Sequence, residues 1–324
     1  HQRLADVLEM AAERTDSADL ESELLLEAAR ISEDFLGDAA RAETIYRRAL
    51  DIDRSVAALV LPAADALDRL YAASGRHREL AEILEIRCGL AQDPDLRRQL
   101  LFRLAELYEV ALSDPERAIG VLKVRVEDDP SDDDALAALE RLYEKTAAFA
   151  DLESVLRARA DLVLDADLRR SLMVRRARLL ADALGDLEGA LGAWQAVRDD
   201  FGPDPDVLAS IASLQRRTEH WDELATTLEE QLSVAEEPAT RLALLAELGE
   251  LRRSRQNDWI GALEALRQAL TLDPTHAASR AAVEKLLDSP DARFEAAQLL
   301  HPLYEAEGDH ARLLGVIEIE IASE

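Results

Sequence analysis

The stretch from Pro94 to Pro130 reads PDLRRQLLFRLAELYEVALSDPERAIGVLKVRVEDDP. Its apolar residues Leu96, Leu100, Leu101, Leu104, Leu107 and Tyr108 recur at helical spacing, which predicts an amphipathic helix. Asp93-Pro94, Asp114-Pro115 and Asp129-Pro130 break that periodicity and bound two helices joined by a short turn. Helices so closely connected must pack antiparallel, as a hairpin.

The same pattern returns along the chain at a period of about 72 residues. The aspartates Asp38, Asp114, Asp186 and Asp258 each stand four residues before an alanine: Ala42, Ala118, Ala190 and Ala262. Each pair reads as a helix start followed by a small, tightly packed residue. A second register aligns Leu4, Leu80, Leu152, Leu224 and Leu313, preceded by His1, His77, Phe149, Trp221 and His310. Leu70-Tyr71, Leu142-Tyr143, Leu214-Gln215 and Leu303-Tyr304 sit at a constant offset ahead of the last four leucines, fixing a short turn there too. Four helices per unit give about 17 or 18 in all. Composition agrees, since leucine and alanine fill more than a third of the 324 positions while Gly (12) and Pro (10) are scarce. The fold expected is all-α, a solenoid of antiparallel helical hairpins that bury their apolar faces on their neighbours. The units are about 1–75, 76–148, 149–220 and 221–324, one repeat domain that reads as an excerpt of a longer array. The last carries about 17 extra residues near Ser289–Glu305, which read as one added or lengthened helix.

The half-unit resembles a tetratricopeptide repeat. Ala105, Tyr108, Ala118 and Pro130 match that family's small residue, aromatic, alanine and closing proline, with one extra residue in the inter-helix turn, and Gly249, Ala262 and Pro274 repeat the match. The resemblance implies a right-handed superhelix that binds a peptide or protein in its concave groove. The alternative is a structural spacer, or a subunit of a larger assembly that meets its partners through its ends or convex face.

Catalytic, metal and nucleotide motifs are not found: there is no HExxH, GxGxxG, Walker loop or CxxC. The chain therefore reads as a non-enzyme without cofactor or metal. The acidic run from Glu127 to Asp134 lacks the glycine and distal glutamate of a calcium loop, and reads as a turn with Ser131 or Asp132 capping the next helix. Cys88, the single cysteine, falls in an apolar register and fits a buried thiol in a reducing, cytoplasmic setting. A formal charge of −29 opposes nucleic acid, and no apolar run is long enough for membrane insertion. The arginine and alanine bias suggests a GC-rich, bacterial genome.

Charge divides unevenly between the two helix layers: five first helices sum to +2 and six second helices to −11. First helices line the groove in the proteins this chain resembles, so the groove is expected to be the least acidic surface. Carrying the family's groove positions over selects Arg103, Arg141, Lys145, Arg175, Arg178, Arg216 and Arg217 as partner-binding candidates. Guanidinium forks suit an acidic segment or a C-terminal carboxylate. The competing reading pairs these side chains with nearby Asp and Glu.

Overall fold

A computed structural model describes residues 1–323, and Glu324, the last residue of the fourth unit, lies outside the described residues. Helix accounts for 82% of the chain, and no strand occurs among the described residues. Two compact units are distinguished, His1–Leu162 and Val163–Glu324.

The first unit contains α1 (Gln2–Ala12), α2 (Ala18–Arg30), α3 (Ala39–Leu50), α4 (Ala57–Ser74), α5 (His77–Leu90), α6 (Pro94–Glu106), α7 (Pro115–Asp128), α8 (Asp133–Thr146) and α9 (Phe149–Leu162). The second contains α10 (Ala166–Leu179), α11 (Leu187–Phe201), α12 (Pro205–Arg217), α13 (Trp221–Val234), α14 (Pro238–Leu251), α15 (Trp259–Leu272), α16 (Ala277–Leu286), α17 (Arg293–Glu307) and α18 (His310–Ser323). Within each unit, every helix packs on its successor. The four repeating aspartates are N-caps: Asp38, Asp114, Asp186 and Asp258 accept from the backbone N–H of Arg41, Arg117, Gly189 and Gly261 at 2.9–3.1 Å. Ala42, Ala118, Ala190 and Ala262 behind them are fully buried, as are Ala29 and Ala177, with Ala105 and Gly249 also inside.

The extra residue of the alternate half-units is absorbed inside the helix, not in the turn. α2, α6, α10 and α14 each end in a five-residue π-helical turn, at Ile31–Phe35, Leu107–Ala111, Leu180–Leu184 and Arg252–Gln256. A π turn is the backbone's way of accommodating one inserted residue. It widens the loop that the last hydrogen bond closes: Asp38, Asp114, Asp186 and Asp258 donate their N–H six residues back, at 2.8–2.9 Å. Arg76, Ala148, His220 and Asp309, which follow helices without the insertion, donate only five residues back.

The irregular ends also match their sequence. α4 is 18 residues against 14 in α8 and carries Pro62 at its sixth position, where the missing N–H leaves the Ala58 carbonyl without its intrahelical donor. α16 is short, and α17 is the additional helix, packed on α15, α16 and α18.

Candidate partner-binding grooves

Most of the arginines on the first helices are held by carboxylates about one half-unit away in sequence. Arg97 reaches Asp128 at 2.6 Å and Arg169 reaches Asp200 at 2.8 Å; Arg98 and Arg170 approach Asp132 and Asp204 at 3.3 and 3.2 Å. These two pairs of pairs are offset by one 72-residue period. Three of the seven candidates belong to the same pattern. Arg103 grips Asp68 with both Nη atoms, at 2.6 and 2.8 Å. Arg141 donates to Glu109 at 2.7 Å, and Arg216 to Glu247 at 2.6 Å. The partners lie on the adjacent first helix or its π turn, not on the candidate's own helix.

Arg175 is half-buried on α10, and Lys145 is exposed on the last turn of α8. Arg178 of α10 and Arg217 of α12 are exposed, have no ion pair among the described residues, and meet at one hollow of about 380 Å³. Its floor is Trp194 of α11 with Leu214, and its walls carry Asp182, Ser210 and Ser213. Trp194 is 5% exposed and belongs to the core that holds α10, α11 and α12 together, so the floor is rigid. Asp182 is placed there by the π turn that ends α10. Of the seven predicted residues, Arg103, Arg141 and Arg216 are therefore braced by carboxylates, and Arg178 and Arg217 form a convergent pair.

A second hollow, of about 450 Å³ between α6 and α8, contains residues that the sequence reading did not select: Asp95, Arg98, Gln99, Phe102, Arg125 and Asp134. Arg125 is buried, its Nε lies 2.6 Å from Asp132, and its guanidinium sits 5.1 Å from the Phe102 ring centre. Asp132 also caps α8, accepting from Ala135 N–H at 3.1 Å. The signal was available in the repeat itself, because the positions equivalent to Arg125 hold Ala49, Val197 and Ala269, all buried and apolar.

The remaining chemistry is muted. Cys88 is buried, and that burial pushes its thiol up to about 11, which keeps it protonated at neutral pH. Among the described residues no group of three or more His, Cys, Asp or Glu side chains is arranged to hold a metal ion. None of the described helices is long and apolar enough to cross a membrane.

Residues 207–242, from α12 to the first turn of α14, match the tetratricopeptide repeat family. No curated protein matches the chain. Among solved structures, YrrB, described as a tetratricopeptide repeat protein with an unusual peptide-binding site, is 16% identical; 57% of this chain and 91% of that one are covered, with a TM-score of 0.33. A tetratricopeptide repeat protein from Parabacteroides merdae is 15% identical, with 81% and 97% covered and a TM-score of 0.32. The Naa15/Naa10 complex bound to HypK-THB includes a chain 14% identical, with 98% of this chain and 60% of that one covered and a TM-score of 0.41.

Proposed function

We propose that the chain is a protein-interaction scaffold that holds a peptide or protein segment along its first-helix grooves, the face that the tetratricopeptide resemblance makes concave. The observation carrying this reading is the meeting of Arg178 and Arg217, free of ion pairs among the described residues, over the buried Trp194. Two guanidinium groups beside the hydroxyls of Ser210 and Ser213 suit a carboxylate, either an acidic side chain or a chain terminus. Asp182 leaves the hollow with a net charge of +1, so an anion is favoured there in a strongly acidic molecule.

The competing reading is a spacer or assembly subunit that binds through an end or its convex face. The test is hydrogen exchange of the chain with a partner recovered by pull-down, paired with Arg178→Glu/Arg217→Glu affinity. Protection of α10 and α12 with weakened binding at low salt supports the groove. Protection confined to α1, with unchanged affinity, supports the spacer.

A further inference from the structure

The additional helix α17 creates a surface that the other repeat units lack. In each earlier unit a single helix stands between the two second-layer helices; in the last, α16 and α17 both do, and α17 lies against α15. A hollow of about 430 Å³ opens along this seam, lined by Trp259, Ile260, Leu263, Glu264, Arg267 and Glu295. It lies on the opposite layer from Arg178 and Arg217 and owes nothing to the groove reading above.

Comparison of the repeat with itself shows that the seam departs from the pattern where it is most apolar. The positions equivalent to Ile260 hold Ala40, Glu116 and Glu188, and those equivalent to Trp259 hold Ala39, Pro115 and Leu187. Ile260 is 65% exposed, so its side chain gains little from folding, and the register elsewhere tolerates a charge at this place. Trp259, by contrast, is anchored against the terminal core while still lining the hollow, which makes it a fixed apolar wall. The exposed Ile260 beside the anchored indole of Trp259 offers an incoming apolar side chain two surfaces to pack against.

The rim selects the occupant. Glu264 and Glu295 carry two carboxylates, Arg267 one guanidinium, and none of the three has an ion pair among the described residues. The net rim charge is −1 on a molecule of −29. We propose that the α15–α17 seam docks a partner segment carrying a large aliphatic side chain flanked by lysine or arginine. The aliphatic group fills the hollow between Trp259 and Ile260, and the cations meet Glu264 and Glu295.

The experiment uses the chain with its three tryptophans labelled as 5-fluorotryptophan, the fluorine signals being assigned by single Trp→Phe variants. The probes are acetyl-Lys-Leu-Leu-Lys-amide and acetyl-Glu-Leu-Leu-Glu-amide. The Trp259 signal is expected to shift saturably with the lysine peptide, about tenfold more weakly with the glutamate peptide, while Trp194 stays in place. Ile260→Glu, which installs the residue found at positions 116 and 188 and so preserves the helix, is expected to abolish the shift. Absence of a saturable shift, equal response to both peptides, or an unchanged shift in Ile260→Glu overturns the proposal. So does a Trp259 signal that moves with protein concentration alone, which assigns the seam to a second copy of the chain. Arg178→Glu leaves the shift intact, so failure here and failure of the groove reading are told apart.

Discussion

Replacing Gly249 with alanine sets a packing cost against a gain in helix propensity. Gly249 lies inside α14 facing α15, where an added Cβ stands 2.6 Å from Cγ and 2.7 Å from Cδ2 of Leu266. Carbon atoms in contact prefer about 3.5–4.0 Å, so the overlap is roughly 1 Å. Leu266 is fully buried and has no open side to swing into. Overpacking of this kind costs about 1–3 kcal/mol, whereas alanine returns about 1 kcal/mol over glycine in a helix interior. The expected net result is a loss of about 1 kcal/mol. Gly120 in α7 is the control: nothing lies within 4 Å of the place its Cβ would take. Gly120→Ala should therefore stabilise by about 1 kcal/mol, leaving the two substitutions about 2 kcal/mol apart. Urea unfolding measures the difference, and hydrogen exchange of α14 and α15 localises it, since a repeat array need not unfold as one unit. Leu266→Val in the Gly249→Ala background should recover part of the loss. Equal stabilisation by both glycine replacements would refute the close approach of α14 to α15.

Four further outcomes are expected. Ala147 closes α8 in the left-handed region at φ 54°, so Ala147→Gly should raise stability by about 1 kcal/mol in thermal unfolding, and Gly75→Ala, at φ 67°, should lower it by a similar amount. Asp132→Asn keeps the cap on α8 but leaves Arg125 buried beside a neutral partner, costing about 3–5 kcal/mol, and a second substitution, Arg125→Val, should restore most of it in denaturant titrations. Cys88 should resist Ellman's reagent in the native state at pH 8 and react in urea; because its folded value of about 11 exceeds the ordinary 9.0, its contribution to stability is full below pH 9 and is lost as pH rises toward 11. Asp133 is held below the ordinary carboxylate range by its hydrogen bond from Arg159, so the stability it contributes is full above about pH 4 and falls away as acid titrates it, an effect that Arg159→Met should remove from the acid-unfolding profile.

What the sequence reveals here is what depends on near neighbours. Helix spacing, the capping aspartates and the small residues behind them are local rules, and each stands where the register puts it. The π turns were visible only as a count, one residue too many, because a single inserted residue can lengthen a turn or widen a helix with little change in composition. The arginine partners were out of reach for another reason. Arg103 and Asp68 are 35 residues apart, Arg141 and Glu109 are 32 apart, and nothing in either short segment says that one half-unit's rise brings them together. Arg125 was hidden by averaging: its register is apolar in the other units, and only its departure from them marks it.

The pairing pattern changes how groove charge must be counted. Summing formal charges treats Arg103 and Arg178 alike, yet a ligand carboxylate at Arg103 has to compete with Asp68, whose side chain is 7% exposed and already bound at two oxygens. Displacing that guanidinium would remove one of the two arginines, Arg87 and Arg103, that hold the buried Asp68 carboxylate, which costs more than an exposed ion pair returns. Arg178 and Arg217 share their hollow with the exposed Asp182 but form no ion pair among the described residues, so on the proposed reading the same ligand group would gain its interaction there without undoing one. Charge reversal at Arg103 should thus be read first in stability, and charge reversal at Arg178 first in binding. The residual cations left after internal pairing, not the +2 sum over the first helices, are the part of the surface free to recognise a partner.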